Sequence, residues 1–288
     1  MTASLETLVV AAYVFADSLR IPRPGPKGKT TDSELIALAV AQAAMGISSD
    51  RQFLGLIAKV LPGWFAHLPH QSQYNRRLRR LTPWITTVQL AVAELVAEGG
   101  IRLADGTLIG CANYPGCARR SEFAGAAAYG YSPSKSQFVW GMRLVVIGDL
   151  KGVPVGYDLV GPKTGQERDS VYELAAAHPG SLLFCDGGLW GAEYERSMEL
   201  IDVELITPDK HKLGERPPSE QEKARIRLVI ESVFANLKRQ MRLSDHLAKT
   251  VPGLVQRTAQ RLLALTLGIY CNLLAGRPAR ALVAYDGR

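Results

Sequence analysis

The sequence predicts an α/β protein in which an all-helical domain comes first. Up to residue 98, apolar residues recur at helical spacing and no strand pattern interrupts them. Gly99-Gly100 then marks a change in composition and period, and from Ile101 short stretches alternate as strands do. After three strand candidates, helical and strand segments follow one another, which is the order of an α/β fold. We therefore expect a helical domain over residues 1–98 and an α/β domain over residues 99–288.

The composition indicates a globular protein with a sizeable core. The 288 residues are 47% hydrophobic and carry a formal net charge of +7, which is compatible with a polyanionic partner. The four cysteines form no CxxC pair, so we expect reduced thiols in a cytoplasmic protein. The longest apolar run, Leu262–Ala275, is too short to cross a bilayer, and no membrane partner is expected.

The helical domain is predicted to contain five helices. Their expected starts come from capping residues and from Pro and Gly at the ends. The predicted helices are Leu5–Leu19, a second capped by Thr31 or Asp32, a third capped by Ser49 or Asp50 and ending at Pro62-Gly63, a fourth over about Ser72–Leu81, and a fifth from Thr82-Pro83 to Glu98.

The fourth predicted helix, SQYNRRLRRL, is strongly basic. Arg76, Arg77, Arg79 and Arg80 lie within five positions. This pattern is typical of a helix that binds DNA phosphates. It is equally typical of a solvated basic helix face, and nothing in it indicates base specificity.

The α/β domain is predicted to begin with a three-stranded meander. Residues 112–136 read as irregular because Gly, Ser and Pro occur throughout. The predicted elements are strands Ile101–Cys111, Gln137–Leu150 and Val153–Val160, helix Gln166–His178, strand Ser181–Cys185, helix Glu193–Ile201, strand Val203–Thr207, helix Ser219–Arg242 and a buried helix over about Leu254–Leu274.

The predicted helix Ser219–Arg242 places charged residues beside its apolar face. Its start is indicated by the capping pattern Ser219-x-x-Glu222. At about 100° per residue, Arg227, Glu231 and Lys238 lie on one narrow seam of an α-helix. The simpler interpretation is an ordinary amphipathic helix with an i,i+4 ion pair.

Three carboxylates in this order of elements are candidate site residues: Asp105, Asp186 and Glu231. Both aspartates precede glycine, and Asp-Gly is also a common turn dipeptide, so each alone is compatible with a hairpin or loop. Their joint placement favours a site. Asp186 ends a buried strand, at the sheet edge where open α/β folds bind ligands. Asp105 on a neighbouring strand and Glu231 on a helix packed across can reach that edge.

Carboxylates without a histidine or cysteine ligand prefer hard cations such as Mg²⁺ or Mn²⁺. Two such ions can activate a water or a sugar hydroxyl and stabilise the leaving oxygen of a phosphodiester. The cluster therefore suits phosphoryl transfer on nucleic acid.

At these motifs the sequence resembles the DDE transposases of bacterial insertion sequences, most closely the insertion-sequence family numbered 982. The resemblance covers most of the chain. Related transposases carry Tyr-x2-Arg-x3-Glu-x6-Lys on the glutamate helix, and Arg227, Glu231 and Lys238 match this spacing, with Ala224 at the tyrosine position. Relatives also carry a lysine and an aromatic residue after the second aspartate, where this chain has Gly187-Gly188-Leu189.

The resemblance implies an RNase H-like catalytic domain in which Asp105, Asp186 and Glu231 hold two Mg²⁺ or Mn²⁺ ions. Arg227 and Lys238 would contact DNA phosphates near the cleaved end. The helical domain, with its arginines from Arg76 to Arg80, would bind the terminal inverted repeats of the element.

The expected reaction is nicking of double-stranded DNA at the element ends, followed by transfer of the 3′-hydroxyl ends to target DNA. A homodimer would join two ends in the working complex. Two alternatives stay open at this point. One is an RNase H-like nuclease without strand transfer, and the other is a transposase-derived DNA-binding protein without catalysis.

Overall fold

The structure is a computed structural model that describes residues 4–22, 28–112, 114, 116–132, 136–185, 187–189, 191–206 and 218–282, without the side chains of 164, 187 and 218–224. The chain forms two compact units. Unit 1 comprises residues 1–96 together with 235–288, and unit 2 comprises residues 97–234. The helical unit is therefore built from two separate stretches of sequence, and unit 2 lies between them in the chain.

Unit 1 is a helical bundle in which one helix is almost completely enclosed. Its helices are α1 (Leu5–Ser18), α2 (Asp32–Ala44), α3 (Asp50–Val60), α4 (Gln71–Val96) and, from the far end of the chain, α9 (Val251–Leu274). Every residue of α2 except Glu34 is buried, and the helix packs against α1, α4 and α9. The expected caps at Thr31 and Ser49 are confirmed, since both hydroxyls accept a hydrogen bond from a backbone N–H of the first turn.

The expected break between a fourth and a fifth helix at Thr82-Pro83 is wrong. Helix α4 runs without interruption through Pro83. Proline lacks an N–H and normally weakens a helix interior. Here the buried residues on either side of it, Leu81 and Ile85, continue one apolar stripe, and burial of that stripe holds the two halves in line.

Unit 2 is built on a six-stranded mixed sheet. Its strands are β1 (Ile101–Gly110), β2 (Ala128–Ser132), β3 (Gln137–Gly148), β4 (Pro154–Val160), β5 (Ser181–Phe184) and β6 (Val203–Ile206). Strand β3 pairs antiparallel with β1, β2 and β4, whereas β5 pairs parallel with β1 and with β6. The order β4-β3-β1-β5-β6 is that of the predicted RNase H-like fold. Strand β2 and the short helix α5 (Cys117–Arg120) lie within the stretch expected to be irregular.

Helices cover both faces of this sheet. On one face, α6 (Thr164–Ala175) and α7 (Ala192–Glu199) enclose a core that includes Val145 and Ile147 of β3. Alternate residues of a strand point to opposite faces, so Gly148 belongs to the other face. A Cβ on Gly148 would lie 4.0 Å from Cδ1 of Ile230. Helix α8 (Pro218–Ala235), which carries Ile230, therefore packs on the face opposite α6 and α7.

A buried carboxylate closes the turn between β3 and β4. Asp149 is fully buried and accepts hydrogen bonds from the backbone N–H groups of Glu98, Lys151 and Val153, at 2.9, 3.0 and 2.8 Å. Three N–H donors satisfy the buried charge. The turn is thereby tied to the segment that leads into β1, and Asp149 has a structural role.

The late helix differs from the expected single helix Ser219–Arg242. Its α-helical part ends at Ala235, and a π-helical segment, Asn236–Gln240, follows. The expected capping pair Ser219 and Glu222 lies outside the residues whose side chains are described. Because α9 packs on α4 and α2, the C-terminal helix belongs to the helical unit, whereas the expected domains 1–98 and 99–288 grouped it with the sheet. None of the helices in the described ranges combines the length and apolar character that a bilayer-spanning segment needs.

Candidate active site and nucleic-acid interface

Asp105 lies in the middle of strand β1, not in a turn. Ten consecutive residues, Ile101–Gly110, form this strand, and Asp105 pairs with Val146 of β3. The hairpin interpretation of Asp105-Gly106 is therefore excluded. The half-buried Asp105 carboxylate accepts a hydrogen bond from the Gly106 N–H at 2.7 Å.

The Asp105 side chain points to the sheet face on which Ile230 of α8 lies. Residues paired directly across an antiparallel ladder lie on the same face. The next pair along the ladder, Gly106 and Val145, faces α6, because Val145 is part of the core there. Asp105 and Val146 therefore face the other way, toward the side on which Ile230 packs. Asp105 and α8, the helix that carries Glu231, thus lie on the same face of the sheet.

Glu231 follows Ile230 on α8 and is half exposed, with 51% of its side chain accessible. Its carboxylate forms an ion pair with Arg227, which lies one helical turn earlier. The distance from Nε of Arg227 to Oε1 of Glu231 is 3.3 Å. The apolar face of the helix is separate, since Ile230, Val233 and Phe234 are buried. Glu231 is accordingly available at the surface of unit 2 rather than engaged in its core.

Asp186 lies outside the described residues, so its position relative to Asp105 and Glu231 is not described. Strand β5 ends at Phe184, and the buried Cys185 follows it. Within the described ranges, no three His, Cys, Asp or Glu side chains are grouped as metal ligands. The complete triad stays a prediction.

Lys238 lies in the π-helical segment and not in the α-helix that carries Glu231. The prediction that Arg227, Glu231 and Lys238 share one seam assumed about 100° per residue throughout. A π-helix turns less per residue than an α-helix, because its hydrogen bonds span five residues instead of four. Arg227 and Glu231 therefore lie on the same side of the α-helix. Lys238, which follows Ala235, is rotated relative to the position that an uninterrupted α-helix would give it.

A fourth carboxylate, which the sequence analysis did not single out, lies against β1. Glu167 of α6 forms an ion pair with Arg143 of β3 at 3.0 Å. A Cβ on Gly106 would lie only 2.1 Å from Oε1 of Glu167, so the glycine leaves the space that this carboxylate occupies. Gly106 was the signal in the sequence, because a glycine within a strand can mark a site where another group approaches the backbone closely. Here that group is the Glu167 carboxylate, and no turn is involved.

Arg168, also on α6, contacts the turn that follows the second aspartate. Its guanidinium donates to the carbonyl oxygen of Gly188 at 3.2 Å and lies 5.6 Å from the ring centre of Tyr194. The Tyr194 hydroxyl donates to the carbonyl of Arg168 at 2.9 Å. Burial, together with the nearby Cys185, raises the pKa of Tyr194 above its ordinary value, so the phenol stays protonated and continues to donate.

This contact places a cation beside the segment Gly187-Gly188-Leu189, where the resembling transposases carry a lysine in the sequence. This cation, Arg168, belongs to a different element and lies 20 positions before Gly188 in the chain. Sequence spacing could not reveal it, because the arginine and the turn meet only when α6 packs on the sheet.

The arginines in the basic segment of α4 differ in exposure and in pairing. Arg77 forms an ion pair with Asp32 at 2.5 Å and also donates to the carbonyl of Thr30, and Arg80 approaches Asp32 at 3.5 Å. Arg76, Arg79 and Arg80 are exposed, whereas Arg77 has only 16% of its side chain accessible. Tyr74, at the start of the segment, is buried, as expected of the inner side of an amphipathic helix. The four arginines are therefore not one continuous solvated face.

Comparison with known proteins assigns the family. The model of the family described as "Transposase DDE domain" matches residues 97–267, more than half of the 288 residues. The chain belongs to this family. The match includes Asp105, Asp186 and Glu231, while the finer resemblance to the insertion-sequence family numbered 982 stays a prediction.

Solved structures of the Mos1 transposase are also similar to the chain. One is the Mos1 paired-end complex with the left transposon end, at 13% identity, covering 80% of this chain and 82% of that one, with a TM-score of 0.27. Another is a pre-cleavage Mos1 transpososome, at 13% identity, covering 93% and 82%, with a TM-score of 0.25. No curated protein sequence matches the chain. The family assignment rests on the family model.

Proposed function

We propose that this transposase nicks double-stranded DNA at the terminal inverted repeats of its element and transfers the 3′-hydroxyl ends to target DNA. One observation carries the proposal: Asp105 points to the sheet face on which α8, the helix of Glu231, packs. Membership of the DDE family supplies the reaction class. Asp186, which follows Cys185 in the sequence, is the third proposed catalytic carboxylate.

The donor set fits divalent metal ions. Asp105 is a half-buried carboxylate within a strand, so it does not serve as a turn residue. Glu231 is half exposed. Asp105, Asp186 and Glu231 would hold two Mg²⁺ or Mn²⁺ ions, and such ions would supply activation of the attacking hydroxyl and stabilisation of the leaving oxygen. In this arrangement the strand fixes Asp105, while Arg227 orients the Glu231 carboxylate through its contact at 3.3 Å.

The remaining parts of the proposal concern DNA and assembly. Arg227 and Lys238 would contact DNA phosphates near the cleaved end, and the helical unit would hold the element ends through exposed arginines of α4. We propose a homodimer that joins two ends, working in the cytoplasm.

Substitution Glu231→Gln tests the catalytic part. It keeps the size of a half-exposed side chain and removes a metal ligand, so we expect Mg²⁺-dependent nicking of a duplex carrying the element end to fall at least a hundredfold. Unfolding free energy should change by less than about 0.5 kcal/mol, as is usual for surface substitutions. Glu199→Gln, on α7 at the opposite sheet face, is the matched control and should cleave normally.

Cleavage by Glu231→Gln at the wild-type rate would remove Glu231 from the site. A second assay separates transfer from hydrolysis. A pre-nicked end with a free 3′-hydroxyl is incubated with target plasmid, and a transposase gives a joined product. Hydrolysis without joining would instead identify a nuclease, and DNA binding with no metal-dependent reaction would identify a binding protein.

A further inference from the structure

Two neighbouring clefts open on the surface of unit 1 beside the start of α4. The first has a volume of about 480 Å³ and is lined by residues 28–30, 67–69, 73, 76 and 77. The second has a volume of about 510 Å³ and is lined by residues 51, 54, 55 and 68–71. Leu68 and Pro69 belong to both linings and form the wall between them.

The two clefts are basic. Lys29, Arg76 and Arg77 line the first and Arg51 lines the second, and neither lining contains an Asp or Glu. Lys29, Arg51 and Arg76 are exposed, and within the described ranges none of the three forms an ion pair. Uncompensated cations around a concave surface attract an anion and release its counterions on binding.

The first cleft is held open by hydrogen bonds between its walls. The Thr30 hydroxyl donates to the carbonyl of His67 at 2.9 Å, which joins the segment before α2 to the segment before α4. Arg77 donates to the carbonyl of Thr30 at 2.9 Å and forms its ion pair with the buried Asp32. Arg77 is thus part of the wall, with its charge matched, while Arg76 one position earlier is exposed at the cleft. A preformed cleft needs little ordering on binding.

We propose that the two clefts, which we call the paired clefts, bind neighbouring backbone phosphates of one DNA strand. Lys29 and Arg76 take one phosphate, Arg51 takes the next, and the Leu68-Pro69 wall lies between them. The proposal rests on the proposed function, because it takes DNA as the partner. It assigns phosphate binding to cations from three separate segments of the chain and not to the four adjacent arginines of α4. Contacts of this type fix position and register but read no bases.

Salt dependence of DNA binding tests the proposal. The full chain is titrated with a duplex oligonucleotide of arbitrary sequence, in EDTA so that no cleavage occurs. Each lost phosphate contact reduces the slope of log K against log salt concentration by about 0.9, so Lys29→Ala with Arg76→Ala should reduce it by about 1, and Arg51→Ala should also reduce it by about 1. The control Lys59→Ala removes an exposed cation of α3 outside both clefts and should leave the slope unchanged.

The charge-conserving pair Lys29→Arg with Arg76→Lys is expected to keep the wild-type slope, which separates loss of charge from loss of structure. Wild-type slopes in the alanine variants, or an equal reduction in Lys59→Ala, would overturn the paired clefts. Failure of the proposed function looks different. In that case the wild-type chain and its variants follow the expected slopes but no protein cleaves an element end in Mg²⁺.

Discussion

Gly106 shows how one residue type can serve two structural purposes. After an aspartate it is typical of a turn, yet here it lies within β1 and leaves room for the carboxylate of Glu167. The glycine therefore allows α6 to approach the sheet directly behind Asp105. A side chain at this position would push against Glu167 and Arg143 together, since a Cβ would also lie 2.9 Å from Cδ of Arg143.

We predict that Gly106→Ala destabilises unit 2 by about 1–3 kcal/mol, the usual range for overpacking a filled site. Urea denaturation followed by circular dichroism measures the change. Gly165→Ala is the matched control on α6, where an added Cβ meets nothing within 4 Å. That control should be neutral or stabilise by up to about 1 kcal/mol, because alanine favours the helix. Equal stability of the two variants would contradict the close approach.

At the scale of elements, α6 supports the site from behind the sheet. Two consecutive residues of this helix reach different parts of it: Glu167 lies against β1, and Arg168 contacts the turn after Asp186. The helix thus links the strand of the first predicted ligand to the loop that follows the second. Its cation–π contact with Tyr194 fixes the direction of Arg168.

Substitution Arg168→Ala is expected to lower DNA cleavage about 10–100-fold, the range found when supporting partners of metal ligands are removed. The metal concentration for half-maximal cleavage should rise as well, a change that loss of stability alone does not produce. Arg196→Ala, an exposed arginine on α7, is the control. Normal metal dependence in Arg168→Ala would show that this arginine only stabilises the fold.

Local signals made most elements predictable from the sequence, and nonlocal contacts explain the rest. The caps of α2 and α3 follow from residues within one turn, and β3 follows from the alternation of its apolar residues. The continuity of α4 depends on burial across Pro83, which no local rule contains. The ion pair of Arg77 joins residues 45 positions apart, so the basic segment alone could not show which arginines are engaged.

At the scale of the whole molecule, a buried polar network connects the two stretches of sequence that build unit 1. Arg257 of α9 forms an ion pair with Asp50 of α3 at 2.5 Å, and both side chains are at least nine-tenths buried. Gln42 and Asn75 donate to the same carboxylate. Nearby, burial lowers the pKa of the fully buried Arg261 to about 9, while its guanidinium donates to the carbonyls of Met241 and Arg257.

Arg257→Met should destabilise unit 1 by about 3–5 kcal/mol, because it leaves the Asp50 carboxylate buried without its cation. Chemical denaturation of the full chain gives the value. Adding Asp50→Asn removes the unpaired charge and keeps one of the two oxygen acceptors, which Gln42 and Asn75 use separately in the native chain. The double variant should recover a large part of the loss, and a double variant no more stable than Arg257→Met would show that the ion pair is not the dominant interaction.

The discontinuity of unit 1 has a consequence for synthesis on the ribosome. Helix α2 is enclosed partly by α9, so the part of its apolar surface that faces α9 stays uncovered until Leu274 has emerged from the exit tunnel. Unit 2 is a single stretch and can fold during that delay. A nascent chain interrupted after the Glu231 helix would therefore expose the α2 surface permanently and become a substrate for chaperones and proteases. Truncated copies of this gene should accordingly yield little protein, even when every proposed catalytic residue is encoded.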